Sequence, residues 1–161
     1  MLPPAPRKYM LTGLAGTPDV LDGFLKAIPS SDPIWDHRPD PQRFTLREIV
    51  AHLADWNPIF LERLTRTRDE NEPVLEDIDE GQIAIEHDYA HTDPQESLAR
   101  FRETRTALVA FLNALPEPAW ERVGIRPPLG PLPIYAQAVL ILGHDGYHTQ
   151  QVAQWLVSAR T

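Results

Sequence analysis

Apolar residues recur along this chain at spacings of three and four, the period of a helix that buries one face. The clearest stretch carries Leu46, Ile49, Leu53, Trp56, Phe60 and Leu64. It opens on Thr45, and Glu48 three residues later completes a capping box, in which the two residues satisfy each other's free backbone N–H groups. Pro58 lies inside this stretch and predicts a kink. An earlier stretch opens at Thr17-Pro18, a capping residue followed by a preset φ, and carries Val20, Leu21, Phe24, Leu25 and Ile28 before Pro29. A third starts at Asp93-Pro94, again with a glutamate three residues on (Glu96), and its stripe is Leu98, Phe101, Leu108, Leu112 and Leu115. The fourth follows "GPLP" at 130–133 and runs to about Ala159, with Ile134, Ala138, Ile141, Leu142, Val152, Trp155 and Leu156 on its faces.

No apolar–polar alternation marks a strand. Proline is abundant, 17 in 161 residues, roughly twice the usual share of about 5%, and it clusters where the helical stretches begin and end. Segments 30–44 and 116–132 read as ordered, proline-rich loops. The acidic stretch 69–93 has room for one short helix near 79–89. No internal repeat and no linker divides the chain, so the expectation is one all-α domain over 1–161: a four-helix bundle with long connections.

The charge balance narrows the partners. With 15 Lys+Arg against 23 Asp+Glu the net charge is −8, which repels phosphate backbones and anionic lipid, so neither nucleic acid nor a membrane surface is expected. The chain has no cysteine, which removes disulfides, thiolate metal sites and cysteine nucleophiles. "MLPPAPRKYMLTG" lacks the apolar run of a secretory signal. The longest purely apolar run, Ala138 to Leu142, is too short to span a bilayer. A soluble, cytoplasmic protein is the expectation.

Two copies of H-D-x-x-H stand out, "HDYAH" at 87–91 and "HDGYH" at 144–148. Residues four apart share a face only where the chain is helical. His87 and His91 straddle the end of an acidic segment and read as exposed loop. His144 and His148 lie midway along the fourth helix on an apolar face, where two imidazoles are costly unless their nitrogens find partners. A metal ion is such a partner. The pattern is not that of a zincin protease: aspartate misplaces the general base, and "TQQVAQWLVSART" offers no downstream third ligand. The third ligand must lie upstream. His52 in "EIVAHLADW" borders the second helix's apolar stripe and is the favoured candidate; His37, in the charged "WDHRPD", is the alternative. Three neutral imidazoles leave a coordination position open, as catalytic zinc sites do.

The succession of "TLREIVAHLADW", "ESLARFRETR", "AWERVG" and "HDGYHTQQ" resembles the DinB-like superfamily, including its YfiT group, over about residues 34–157. The resemblance implies an up-down-down-up four-helix bundle and a divalent ion, zinc or nickel foremost, held by His52, His144 and His148. It implies a small-molecule substrate, with low-molecular-weight thiols such as bacillithiol or mycothiol as cosubstrates in thiol-dependent S-transferases and a maleylpyruvate isomerase. It also implies a homodimer.

The leading expectation is therefore a small-thiol-dependent S-transferase in which a coordinated thiol is deprotonated to the nucleophile. A metal-dependent hydrolase is the alternative. So are a metal-binding, stress-related protein with a structural ion and a metal-free interaction module. Asp145 is a candidate base or ligand-orienting acceptor, although a solvent-facing acid is the plainer reading. Arg105 interrupts the third stripe and reads as paired to an acid or, alternatively, as an anchor for a substrate carboxylate. Trp56 and Tyr147 read as core packing before pocket lining, and Gln150 and Gln151 as residues at the site's edge.

Overall fold

The structure, a computed structural model, describes residues 4–127 and 129–159. In chain order its helices are α1 (Pro4–Leu25), α2 (Leu46–Asp69), the short α3 (Glu80–Glu86), α4 (Pro94–Asn113) and α5 (Ile134–Ser158). Strands β1 (Val123–Arg126) and β2 (Gly130–Pro133) pair antiparallel before α5.

Contacts along the helices fix their directions. Arg47 at the start of α2 donates to the Thr92 carbonyl just before α4, and Asn57 farther along donates to Phe101, so α2 and α4 run parallel. Gly13 lies against Leu142 and Thr17 bonds Asp145, so α1 and α5 are also parallel. Across the other seams the order reverses: Arg105 reaches Leu14 while Gln95 reaches Ile28, and Gln137 bonds Thr67 while Gln151 bonds Phe44. The result is the up-down-down-up four-helix bundle, with α1 and α2 on one diagonal and α4 and α5 on the other.

The capping signals are realised. The Glu48 amide donates to Thr45 Oγ1 at 3.2 Å and the Thr45 amide to Glu48 at 2.7 Å. Asp93 accepts from the amides of Gln95 and Glu96. Asp79 caps α3 through the Gln82 amide, within the range expected for a short helix. Helix α2 continues through Pro58.

Two expectations are corrected. The first helix begins at Pro4 rather than at Thr17 and contains Pro18. Proline has no N–H, so the Leu14 carbonyl four residues back lacks its helical donor; Arg105 Nη1 supplies one at 3.2 Å. Met10 and Leu14 are buried, which rewards helix over this proline- and glycine-bearing stretch, whereas Val20 and Phe24 face outward. The second correction is the hairpin within the segments read as loop. Its alternation is masked by prolines 131 and 133, tolerable because β2 is an edge strand. The long α2–α4 connection is fastened to it: Leu75 donates to Ile125 and Ile125 to Pro73, each at 2.8 Å. Gly124 permits this seam, since a Cβ there would lie 2.6 Å from Thr67 Oγ1 and 2.7 Å from Leu75 Cδ1.

The core falls into two apolar halves. One gathers Leu21, Leu25, Trp35, Ile49, Leu53, Phe101, Val152 and Trp155; the other Met10, Leu14, Leu64, Leu108, Leu112, Trp120 and Ile134. Thr17, Asn57, Arg105 and Asp145, buried and drawn one from each long helix, bond one another in a polar cluster. Among the described residues no helix is long and apolar enough to cross a membrane.

Candidate metal centre

Helix α5 carries polar groups toward all three other long helices. Asp145 is one residue on from His144, about 100° around the helix. It points to α1 and α4, while His144 and His148 share the face toward α2. Antiparallel α2 presents His52 to them. The ligand-capable atoms of His52, His144 and His148 all lie within 4.8 Å of one another, and no other such group of His, Asp or Glu occurs among the described residues. His52 Nε2 and His144 Nε2 are 2.9 Å apart. The three ring centroids are separated by 4.6 to 5.1 Å.

The rings are held mainly by aromatic packing. Phe44 and Trp56 flank His52 at centroid distances of 5.3 Å, Phe60 meets His144 edge-on at 5.4 Å, and Tyr147 meets His148 at 5.0 Å. His148 has an additional hold. Gln151 donates its amide N–H to the Phe44 carbonyl, which leaves its Oε1 facing His148 Nδ1 at 3.2 Å. An amide oxygen only accepts, so His148 Nδ1 carries the proton and Nε2 keeps its lone pair. No carboxylate among the described residues bonds any of the three rings.

Burial keeps all three rings neutral. It pushes His52 down to about 2, with the neighbouring charges of His148 and His144 acting the same way. His148 falls to about 3 by burial and the His144 charge, against a smaller opposing effect of the Gln151 bond. His144 falls to about 4, by burial and then by the Arg105 charge. Neutral imidazole is the metal-binding form. The protein alone does not satisfy this cluster: one N–H between His52 and His144 leaves both Nδ1 atoms buried and without partners. With M–N bonds of about 2.0–2.1 Å, one ion suits nitrogens gathered this closely. The donor set fits a divalent ion with three protein ligands.

The remaining candidates separate plainly. His37 bonds Ser158 and is not part of the cluster. His87 pairs with buried Asp55, and His91 with Asp88, both histidines being largely exposed. Asp145 is not the solvent-facing acid its neighbourhood suggested: it is buried in a bidentate pair with Arg105, which also holds Asn57. Arg105 is therefore paired internally, leaving no free fork for a substrate. Trp56 is buried beside His52 and lines the cleft that opens on His144. Tyr147 is exposed, and Gln150 faces outward. Sequence reasoning missed Arg63, another lining residue of that cleft, although it interrupts the α2 stripe as Arg105 interrupts that of α4.

A bundle of this topology with three inward histidines defines a metalloprotein-like scaffold. The chain matches the DinB superfamily over residues 14–152 and belongs to it. Its structure is similar to that of YfiT from Bacillus subtilis, described as a probable metal-dependent hydrolase with an unusual four-helix bundle topology. The TM-score is 0.88 at 20% identity, covering 96% of this chain and 88% of that one. No curated protein matches the chain.

Proposed function

We propose that His52, His144 and His148 hold one divalent metal ion, zinc or nickel, and that the protein is a metal-dependent enzyme acting on small molecules. The observation that carries this is the convergence of three neutral imidazoles from distant parts of the chain with no fourth His, Asp or Glu in the group among the described residues. A structural ion is normally closed by four protein ligands, whereas a catalytic one keeps a position open. When bound, the ion supplies Lewis acidity, lowering the pKa of a coordinated thiol or water. Imidazole donors do not choose between zinc and nickel.

Our lead reaction is S-transfer from a small thiol. The cosubstrate brings the nucleophile, in keeping with a chain that has no cysteine. Among the described residues no carboxylate bonds the triad, and a thiol whose pKa the ion would lower would need no such base. In the transfer, sulfur bonds to the electrophilic carbon, the leaving group departs with its electron pair, and the thiol proton passes to solvent. Hydrolysis is the second reading. It is supported by the description of YfiT and by Glu80, which lines the clefts on both sides of the triad and whose carboxyl is raised by burial and by Asp79.

Metal analysis of tag-free protein tests the site. Wild type is expected to carry about one equivalent, and His52→Ala and His148→Ala to lose it; equal content in all three would remove the proposal. Metal-loaded protein is then assayed with small thiols plus electrophiles, and with esters and amides. Turnover that requires a thiol supports transfer, and thiol-independent ester or amide cleavage replaces it with hydrolysis.

A further inference from the structure

The cleft that opens on His144 has a volume of about 470 Å³, within the range of small-molecule sites. Its lining combines apolar Phe60, Leu140 and Ile141 with charged Arg63, Arg126, Asp77 and Glu80. Arg63 is only 4% exposed. Its Nη2 donates to the Glu76 carbonyl at 2.7 Å and its guanidinium lies 5.6 Å from the Trp56 ring centre. Its Nη1, however, is buried without an acceptor, and no carboxylate among the described residues forms an ion pair with it. Arg126 gives one N–H to Asp77 at 2.8 Å and keeps its Nε buried and unpartnered. Trp56 Nε1 is in the same condition.

Three residues lining one cleft thus present buried donors that lack acceptors. A desolvated donor is costly to leave unpaired, and a desolvated cation more so. The missing complement is an oxyanion. Direct pairing sets its valence: Asp77 bonds Arg126 and no carboxylate among the described residues bonds Arg63, so one arginine is left for an anion. Asp77 and Glu80 in the same lining disfavour a second negative charge on it. The planar guanidinium fork suits a carboxylate, and the apolar part of the lining suits an apolar body.

We propose that this cleft binds a small amphipathic carboxylate, its carboxylate on Arg63 and Arg126 and its apolar portion along Phe60, Leu140 and Ile141 beside His144. That this ligand is the substrate rests on the metal-dependent function above; that it binds does not.

The test uses metal-free protein, so that a carboxylate has no ion to ligate. Calorimetry compares 4-phenylbutyrate, its neutral amide and phenyl phosphate on wild type, Arg63→Gln and Arg126→Gln, with circular dichroism as the check on folding. The acid is expected to bind at least tenfold tighter than the amide. Each substitution is expected to weaken the acid about 10- to 100-fold, as for loss of a charged hydrogen bond, and to leave the amide unchanged. Equal binding of acid and amide, no binding of the acid, or unaltered affinity in a folded Arg63→Gln protein would overturn the proposal. Tighter binding of phenyl phosphate than of the acid would overturn the monoanion assignment. Should Arg63→Gln fail to fold, Arg126→Gln and the acid–amide comparison decide. Failure here leaves the metal content of wild type untouched, so the two proposals fall separately.

Discussion

Arg105→Leu is expected to be among the most damaging single substitutions, because of what it strands. Arg105 and Asp145 are each about 2% exposed at the side chain. The guanidinium bonds both Asp145 oxygens, Asn57 Oδ1 at 2.8 and 3.0 Å, and the Leu14 carbonyl at 3.2 Å. With arginine removed, the Asp145 carboxylate keeps only the Thr17 hydroxyl, 3.0 Å away. Breaking one partner out of a buried pair costs about 3–5 kcal/mol, a large share of the roughly 5–15 kcal/mol that holds a domain together. Asp145→Leu strands the cation instead and is expected to cost about the same.

The double substitution discriminates the cause. It leaves no buried charge, and only the Asn57 oxygen and the Leu14 carbonyl lose their donors; Asn57 Nδ2 still has Phe101 and Thr104. At about 1–3 kcal/mol for each stranded acceptor, the double variant loses roughly 2–6 kcal/mol against a sum of about 6–10 for the singles. A coupling near 4 kcal/mol is expected. Urea unfolding of metal-free protein, followed by circular dichroism with the m-value checked for constancy, measures it. Losses below about 1 kcal/mol in the singles, as for exposed pairs, or strict additivity would refute the account of the buried layer.

Gln151→Leu removes the acceptor that fixes the His148 tautomer but leaves the Phe44 carbonyl its bond from Trp155 Nε1. Chelator competition is expected to show metal affinity weakened about 10- to 100-fold with the fold intact, and wild-type affinity would mean that ring packing alone orients His148. Stability of the metal-free protein should fall as pH drops below about 6.5. The folded-state pKa of each histidine lies lower (about 2, 3 and 4), so the unfolded chain binds more protons in this window, and the slope approaches about 1.4 kcal/mol per pH unit per histidine. Urea midpoints at pH 7.5 and 5.5 measure this, and equal values would contradict neutral buried rings. Gly124→Ala drives a methyl group into Thr67 and Leu75 and is expected to lower the thermal midpoint through a loss of about 1–3 kcal/mol; an unchanged midpoint would show that the seam yields.

The parts legible in the sequence were those whose signal is local. Thr45 with Glu48 and Asp93 with Glu96 announced α2 and α4 because a cap needs only its own first turn. The front half of α1 was hidden because its determinants are remote: Gly13, Gly16 and Pro18 oppose helix, and the burial of Met10 and Leu14 together with Arg105 on the Leu14 carbonyl overrides them. The histidine cluster could be anticipated because two imidazoles four apart on an apolar face demand a partner and His52 lay beside an inward stripe. Asp145 was misjudged since α5 packs against α1 as well as α2, so the face beside the histidines is interior too. Arg63 was legible in principle, three residues beyond Phe60 and seven beyond Trp56, but its isolation from any carboxylate is a tertiary fact.

Topology explains why the site has the walls it does. Because α2 and α4 are parallel neighbours, residues 70–93 must carry the chain back along α2, whose 24 residues span about 36 Å. A segment of that length can reach roughly twice as far when extended, so chain is left over. Part of it folds as α3, and part is bonded to the hairpin at Ile125, and Asp77, Ile78 and Glu80 from this segment join the lining of the cleft. In an up-down-up-down bundle a short loop would join these helices and add nothing to that lining. The histidines and Arg63 thus stand on two long packed helices, while Arg126, Asp77 and Glu80 come from the returning chain and the hairpin. Changes confined to the latter would alter the proposed anion site without moving the three histidines.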